Sequence, residues 1–243
     1  MHVTPLSISA TDRLVILTGA GVSAESGIQT FRDAGGLWEH HDIYDIASPE
    51  GFRRDPEKVW RFYGARRDQA KDCHPNPAHK ALVALERRLG ERMLLVTQNV
   101  DGLHRRAGSE RLIEIHGNLF RSKCTSIGCD GFMVAWEDPV SHPEGMPTCP
   151  HCGRMSRPDV VWFGELLNRK DLQAVERAAT TCTLFMAIGT SGAVYPAAGL
   201  AHAARRAGAR TVLVNKDPAE NQGEFDHFIQ GKAGEILPAL LGV

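Results

Sequence analysis

The run Leu14-Val-Ile-Leu-Thr18, followed at once by Gly19-Ala-Gly21, limits the fold more than any other stretch of the 243 residues. A short apolar run with β-branched members and no alternation reads as a strand buried on both faces. Such strands belong to parallel sheets covered by helices. Gly19, Gly21 and Ala24 fit the G-x-G-x-x-[G/A] spacing. There, backbone without Cβ approaches a pyrophosphate, and the next helix offers N–H donors and the positive end of its dipole. An ordinary dinucleotide unit places an acidic residue on its second strand about 20 residues further on. Here Asp33 to Asp45 is rich in Gly, His and aromatics instead. A site that passes a hydride is disfavoured on this ground.

The remaining chain repeats strand and helix. Arg13–Leu17, Met93–Thr97, Leu112–Ile115, Leu184–Ile188 and Thr211–Val214 are the expected strands. Asp55-Pro56-Glu57-Lys58 starts a helix to about Lys71, with a capping acid and Pro at the first position. Ala78–Leu89 (closed by Gly90), Lys170–Ala179, Pro196–Gly208 and the amphipathic 231–241 segment are the other expected helices. Strand-then-helix order predicts an α/β chain with a Rossmann-like, doubly wound parallel sheet and helices on both faces. The pattern divides into residues 1–37, 76–118 and 159–243 as a nucleotide-binding unit, 38–75 as a helical and loop insertion, and 119–158 as a small cysteine module. The apolar run Arg157–Glu165 is expected to lead back into the main unit.

Composition excludes several functions. A formal net charge of −1 and the absence of a Lys/Arg-rich stripe argue against nucleic acid. No apolar run reaches ~20 residues, so no membrane span is expected. Met1–Asp12 is polar, without the apolar core of a signal peptide, which favours a cytoplasmic protein. A monomer is the favoured state.

Polar residues gather just after the strands. Gln98, Asn99 and Asp101 follow one strand, His116 the next, then Gly189-Thr190-Ser191 and Asn215-Lys216-Asp217. In an open α/β sheet these strand ends are where a ligand binds. On the 55–71 helix, Val59, Phe62, Tyr63 and Arg66 share one face. The arginine is either a snorkelling edge residue or half of a Tyr/Arg pair for a carboxylate. Cys124-x4-Cys129 and Cys149-x2-Cys152 have the spacing of a four-thiolate zinc site. Four protein ligands leave no open position, so that ion is structural. His142 and His151 are competing ligands; Cys73 and Cys182 read as ordinary thiols.

In this order the pieces resemble the sirtuin family of NAD-dependent protein lysine deacylases. The likeness rests on Gly19 through Asp33, Thr97-Gln-Asn-Val-Asp-Gly-Leu-His104, His116-Gly117, the four cysteines, Val160-Val-Trp-Phe-Gly-Glu165, Gly189-Thr-Ser191 and Asn215. Gln29 departs from the Pro or Arg usual there, and tuning of the site is expected from it. The resemblance implies NAD as co-substrate and acylated-lysine proteins as partners. The acyl oxygen attacks C1′ of the nicotinamide ribose, and His116 is general base on a ribose hydroxyl. Free lysine, nicotinamide and O-acyl-ADP-ribose result. Asn99 and Asp101 would position the nicotinamide amide and a water, Gln98 the ribose, and Phe31 would shield the reacting face. Gly19, Ala20, Gly21, Glu25, Thr30, Arg32, Trp38, Gly189, Thr190, Ser191, Asn215, Lys216, Asp217 and Ala233 would complete the cofactor site. Phe163, Gly164 and Glu165 would pair with the substrate backbone. Tyr63-Gly-Ala-Arg66 is similar to the Tyr-x-x-Arg of the class that removes succinyl and malonyl groups, with Ala47 where that class has a small residue widening the pocket.

Overall fold

Strand β1 (Leu14–Thr18) is buried at all five positions, as an unalternating apolar run requires. The computed structural model describes residues 4–28, 43–142 and 145–243. After β1 come two short helices, α1 (Ile43–Ile46) and α2 (Pro49–Arg54), then the longer α3 (Pro56–Lys71) and α4 (Pro77–Leu89). Ser48, Asp55 and Asn76 cap α2, α3 and α4, each followed by Pro at the first helical position. Next follow β2 (Met93–Thr97), α5 (Leu103–Ala107) and β3 (Leu112–Glu114). A small antiparallel sheet of β4 (Gly117–Cys124), β5 (Ala135–Glu137) and β6 (Ser156–Val160) interrupts the series. The chain continues with α6 (Arg169–Thr181), β7 (Leu184–Ile188), α7 (Leu200–Arg206), β8 (Arg210–Asn215), β9 (His227–Gln230) and α8 (Ala233–Leu241).

Among the described residues the main sheet has six strands in the order β3-β2-β1-β7-β8-β9, all parallel. Counting only its own strands, that is 3-2-1-4-5-6, the doubly wound order whose direction of travel reverses between the first and fourth strands. Side-chain alternation sends Leu14, Ile16, Leu95, Met186 and Val214 to one face, under α4 and α8. It sends Val15, Leu17, Val96, Phe185 and Leu213 to the other, where helix residues Val175 of α6 and Leu200 of α7 cover them. A third cluster lies apart: Ala47, Phe52, Val59, Trp60 and Tyr63 of the inserted helices pack on Leu119, Val160 and Trp162.

Two features differ from the sequence reading. Strand β9 has the sequence His-Phe-Ile-Gln and is only partly buried, because it lies at the sheet edge. No apolar run announced it. The first half of the Arg157–Glu165 run is β6, which pairs antiparallel with β4 and so stays in the small sheet. Among the described residues no helix is long and apolar enough to cross a membrane.

Candidate active site

The reversal point between β1 and β7 brings two glycine turns into contact. Gly19 N donates to Ile188 O (3.0 Å) and Gly21 N to Gly189 O (2.8 Å). A Cβ on Gly21 would stand 2.7 Å from Gly189 Cα, so any side chain there would force the turns apart. Thr190 ties three strand ends together: Gln98 Nε2 donates to its hydroxyl (3.1 Å), and Asn215 Nδ2 to its carbonyl (3.0 Å). Ser191 O accepts from Glu220 N, and Lys216 O accepts from Gln230 Nε2. Asp217 is exposed, and Ala20 is half-buried on the first turn. Glu25 reaches across to α8, where its carboxylate accepts from Gly234 N (2.7 Å) beside buried Ala233. Thr30, Phe31, Arg32 and Trp38, with Gln29, lie outside the described residues.

Beneath this edge lies a buried polar web that the sequence did not reveal. His79 Nδ1 accepts from Asn76 N (3.3 Å), so its other nitrogen carries the proton, toward Ser23 Oγ (3.4 Å). Ser23 Oγ also accepts from Asn99 Nδ2 (3.1 Å). Thr18 Oγ1 donates to Thr97 Oγ1 (2.8 Å) and therefore accepts from His104 Nε2 (2.9 Å). The two imidazoles stand 4.7 Å apart. Both are neutral: burial pulls His79 down to about 4, and burial plus the neighbouring ring pulls His104 well below the usual range. Buried Asp101 accepts from Leu103 N (2.8 Å), and burial raises its carboxyl.

His116 is half-buried where β3 gives way to β4. Its Nδ1 lies 3.1 Å from Gln98 O. A carbonyl only accepts, so Nδ1 holds the proton and Nε2 keeps its lone pair. Burial lowers the imidazole pKa, against the opposing pull of the Gln98 carbonyl. The result is a neutral ring with a fixed tautomer, suited to take a proton near neutral pH.

A second group joins His116 through the chain. Val161 N donates to His116 O (2.9 Å), and the next residue, Trp162, donates its indole N–H to Tyr63 Oη (2.9 Å). The Tyr63 hydroxyl, thus engaged as acceptor, keeps its own proton to donate. Burial raises its pKa and keeps it protonated. Arg66, three residues on, has a buried Nε without a hydrogen-bond partner among the described residues. Its guanidinium lies 5.5 Å from the Phe62 ring. Ala47 is buried, and its carbonyl accepts from Phe163 N (2.9 Å). Gly164 sits in the left-handed region at φ 86°. The Glu165 carboxylate accepts from Arg157 (2.5 and 3.0 Å) and Trp162 N (2.9 Å), so its side chain holds the turn.

The four cysteines form a separate cluster. All four sulfurs lie within 4.8 Å of one another; Cys124–Cys152 and Cys129–Cys149 are 3.7 and 3.8 Å apart. A tetrahedron with zinc–sulfur bonds of about 2.3 Å places its sulfurs ~3.8 Å apart. Backbone N–H groups of Ser126, Gly131 and His151 point at Cys124, Cys129 and Cys149, an arrangement that stabilises thiolates. The donor set fits one structural zinc ion, without His142, which accompanies Asp138 (2.7 Å), and without His151 as ligands.

Fold and site together define a dinucleotide-binding α/β protein with a cysteine-ligated metal module and a helical insertion over one strand end. Residues 19–196 match the Sir2 family. The chain is 44% identical over 241 residues to NAD-dependent protein deacylase 2 of Pyrobaculum aerophilum, covering 99% of this chain and 94% of that one. It is 47% identical over 228 residues to an NAD-dependent protein deacylase of Escherichia coli, covering 93% of this chain and 81% of that one. A solved Sir2 homologue–NAD complex superposes with a TM-score of 0.87 at 37% identity, covering 99% and 96% of the two chains. The chain belongs to the Sir2 family.

Proposed function

We propose that this chain is an NAD-dependent protein-lysine deacylase that removes acidic acyl groups, succinyl and malonyl, as well as acetyl. One observation carries the acidic preference: a half-buried arginine whose Nε has no partner among the described residues, on the same helix face as a tyrosine whose hydroxyl still has a proton to give. A carboxylate satisfies both donors at once. An acetyl group satisfies neither, which is why the pair discriminates.

NAD, when bound, supplies the ADP-ribose that accepts the acyl group. The glycine turns at Gly19, Ala20, Gly21 and Gly189 would hold its phosphates, and Gln98, Thr190, Ser191, Asn215, Lys216, Asp217, Glu25 and Ala233 would hold the ribose and adenosine end. Thr30, Phe31, Arg32 and Trp38 are assigned to the same site from the sequence likeness alone. Asn99 and Asp101 orient the reacting end, held from below by Ser23 and His79. His116 Nε2, its lone pair free while Nδ1 is held by Gln98 O, would take a ribose hydroxyl proton. Ala47, Phe163, Gly164 and Glu165 shape the acyl-lysine channel. On this reading residues 1–37, 76–118 and 159–243 would hold the cofactor, 38–75 would read the acyl group, and 119–158 would hold the metal, with the small sheet itself reaching from Gly117 to Val160.

A kinetic comparison of acetyl-, succinyl- and malonyl-lysine peptides with NAD tests the reading. Arg66→Met should raise KM for the succinyl peptide by ~30-fold, a loss of about 2 kcal/mol for one partly buried charge-assisted contact. The acetyl KM should change little. Equal effects on both substrates would leave Arg66 a structural residue and remove the acidic preference.

A further inference from the structure

The residue after Arg66 is also an arginine, about 100° further round the helix. Arg67 is 1% exposed, the largest of the fully buried side chains. Its guanidinium donates to five acceptors: Leu119 O (2.6 Å), Val140 O (2.6 Å), Arg121 O (3.2 Å), Ser122 Oγ (3.1 Å) and Asp138 Oδ2 (3.1 Å). All five belong to β4 or to the loop that follows β5. The Trp60 ring lies 5.2 Å away, two helical turns back. The fork geometry of a guanidinium is what allows one side chain to serve two strand carbonyls and a carboxylate together.

Other contacts along α3 meet the same small sheet and loop. Gly64 lies so close to Ser141 that a Cβ would stand 2.5 Å from the Ser141 carbonyl oxygen. Trp60 Nε1 donates to Ser156 O on β6 (3.1 Å), and its ring meets His142 edge-on at 5.8 Å. Asp138 is held in turn by Ser122 and by His142. Residues 60, 64 and 67 therefore form a rear face bolted to β4, β6 and the 138–142 loop. Residues 63 and 66 carry the donors for the acyl group on a neighbouring face. A rigid helix transmits the position of one face to the other.

We infer that Arg67 is a positioning residue for acyl selectivity: its contacts with β4 and Asp138 set where Tyr63 and Arg66 stand over the acyl group. The inference rests on the acidic-acyl reading above. Succinyl recognition needs two donors placed on one carboxylate, and a misplacement on the scale of 1 Å is costly for such a pair. Acetyl, which uses neither donor, tolerates the same shift.

The test compares wild type, Arg67→Lys, Asp138→Asn and Arg66→Met in steady-state assays on succinyl- and acetyl-lysine peptides, with Tm measured for each protein. Arg67→Lys keeps the charge and loses the fork. It should raise the succinyl KM by ~10-fold and the acetyl KM by less than about 2-fold, with acetyl kcat preserved. Asp138→Asn, a milder change, should move the same ratio in the same direction. If both substrates lose equally, or if neither changes while Tm falls, Arg67 is only structural and the inference is overturned. A selective loss in Arg66→Met with no selective loss in the other two sinks the positioning role alone. No selectivity in Arg66→Met sinks the acidic-acyl reading itself.

Discussion

Acidification to pH 5 should destabilise this protein through two histidines. His79 accepts from Asn76 N and is pulled down to about 4, and His104 lies beside it at 4.7 Å. A histidine whose folded pKa is depressed favours the neutral form. Its stabilisation is therefore complete above the unfolded value of about 6.5 and is lost as pH falls toward the folded one. For His79 the linkage gives about 2 kcal/mol lost by pH 5. His104, lowered by burial and by the neighbouring His79 ring, adds a loss of the same sign. Unfolding entropy of about 2.1 cal/mol/K per residue over 243 residues turns the ~2 kcal/mol from His79 into a Tm drop of roughly 4 °C, which His104 deepens. Differential scanning calorimetry of the metal-loaded protein between pH 7.5 and pH 5 reads this directly. His104→Gln, with an amide to replace the contact to Thr18, should have a shallower pH slope than wild type. The variant-to-wild-type difference cancels the contribution of carboxylates such as Asp101, whose raised pKa works in the opposite sense. An unchanged slope in His104→Gln would show that the buried pair does not control acid stability.

Two other outcomes follow from the site. His116→Ala should abolish turnover while leaving Tm within a few degrees, and the acid limb of wild-type kcat/KM should fall below pH 6.5 because burial depresses that imidazole; retained turnover would remove the base assignment. Cys149→Ser should release zinc, measured by atomic absorption, and lower Tm; an unchanged metal content would refute the four-sulfur site.

Four of the expected strands, the half-buried edge strand β3 and the cysteine spacing were legible because each depends on local pattern: apolar runs between turns, and thiols at fixed intervals. Strand β9 was not, since a polar edge strand needs only one neighbour and carries no apolar run. The histidine web was equally silent. Ser23, His79, Asn99 and His104 come from four segments, and only the closed sheet brings them within hydrogen-bonding distance. Arg66 was singled out as the arginine breaking an apolar face. The fold shows that its neighbour is the more deeply buried, a distinction that adjacent positions of a helix do not carry in sequence. The Arg157–Glu165 pair likewise arises from the turn between them, which brings eight-residue neighbours face to face.

The small sheet leaves and rejoins the chain at one narrow neck. His116 O accepts from Val161 N, and Gly117 pairs with Val160, so the entry and exit strands lie one strand spacing apart. Everything between them, metal ligands included, hangs from that neck without altering the order of the main sheet. Such a module behaves as a cassette: a different length or shape could be grafted at the same two residues while the sheet behind it stays the same. The constraint on any graft is what it must offer to α3, namely the three carbonyls, the hydroxyl and the carboxylate that hold Arg67.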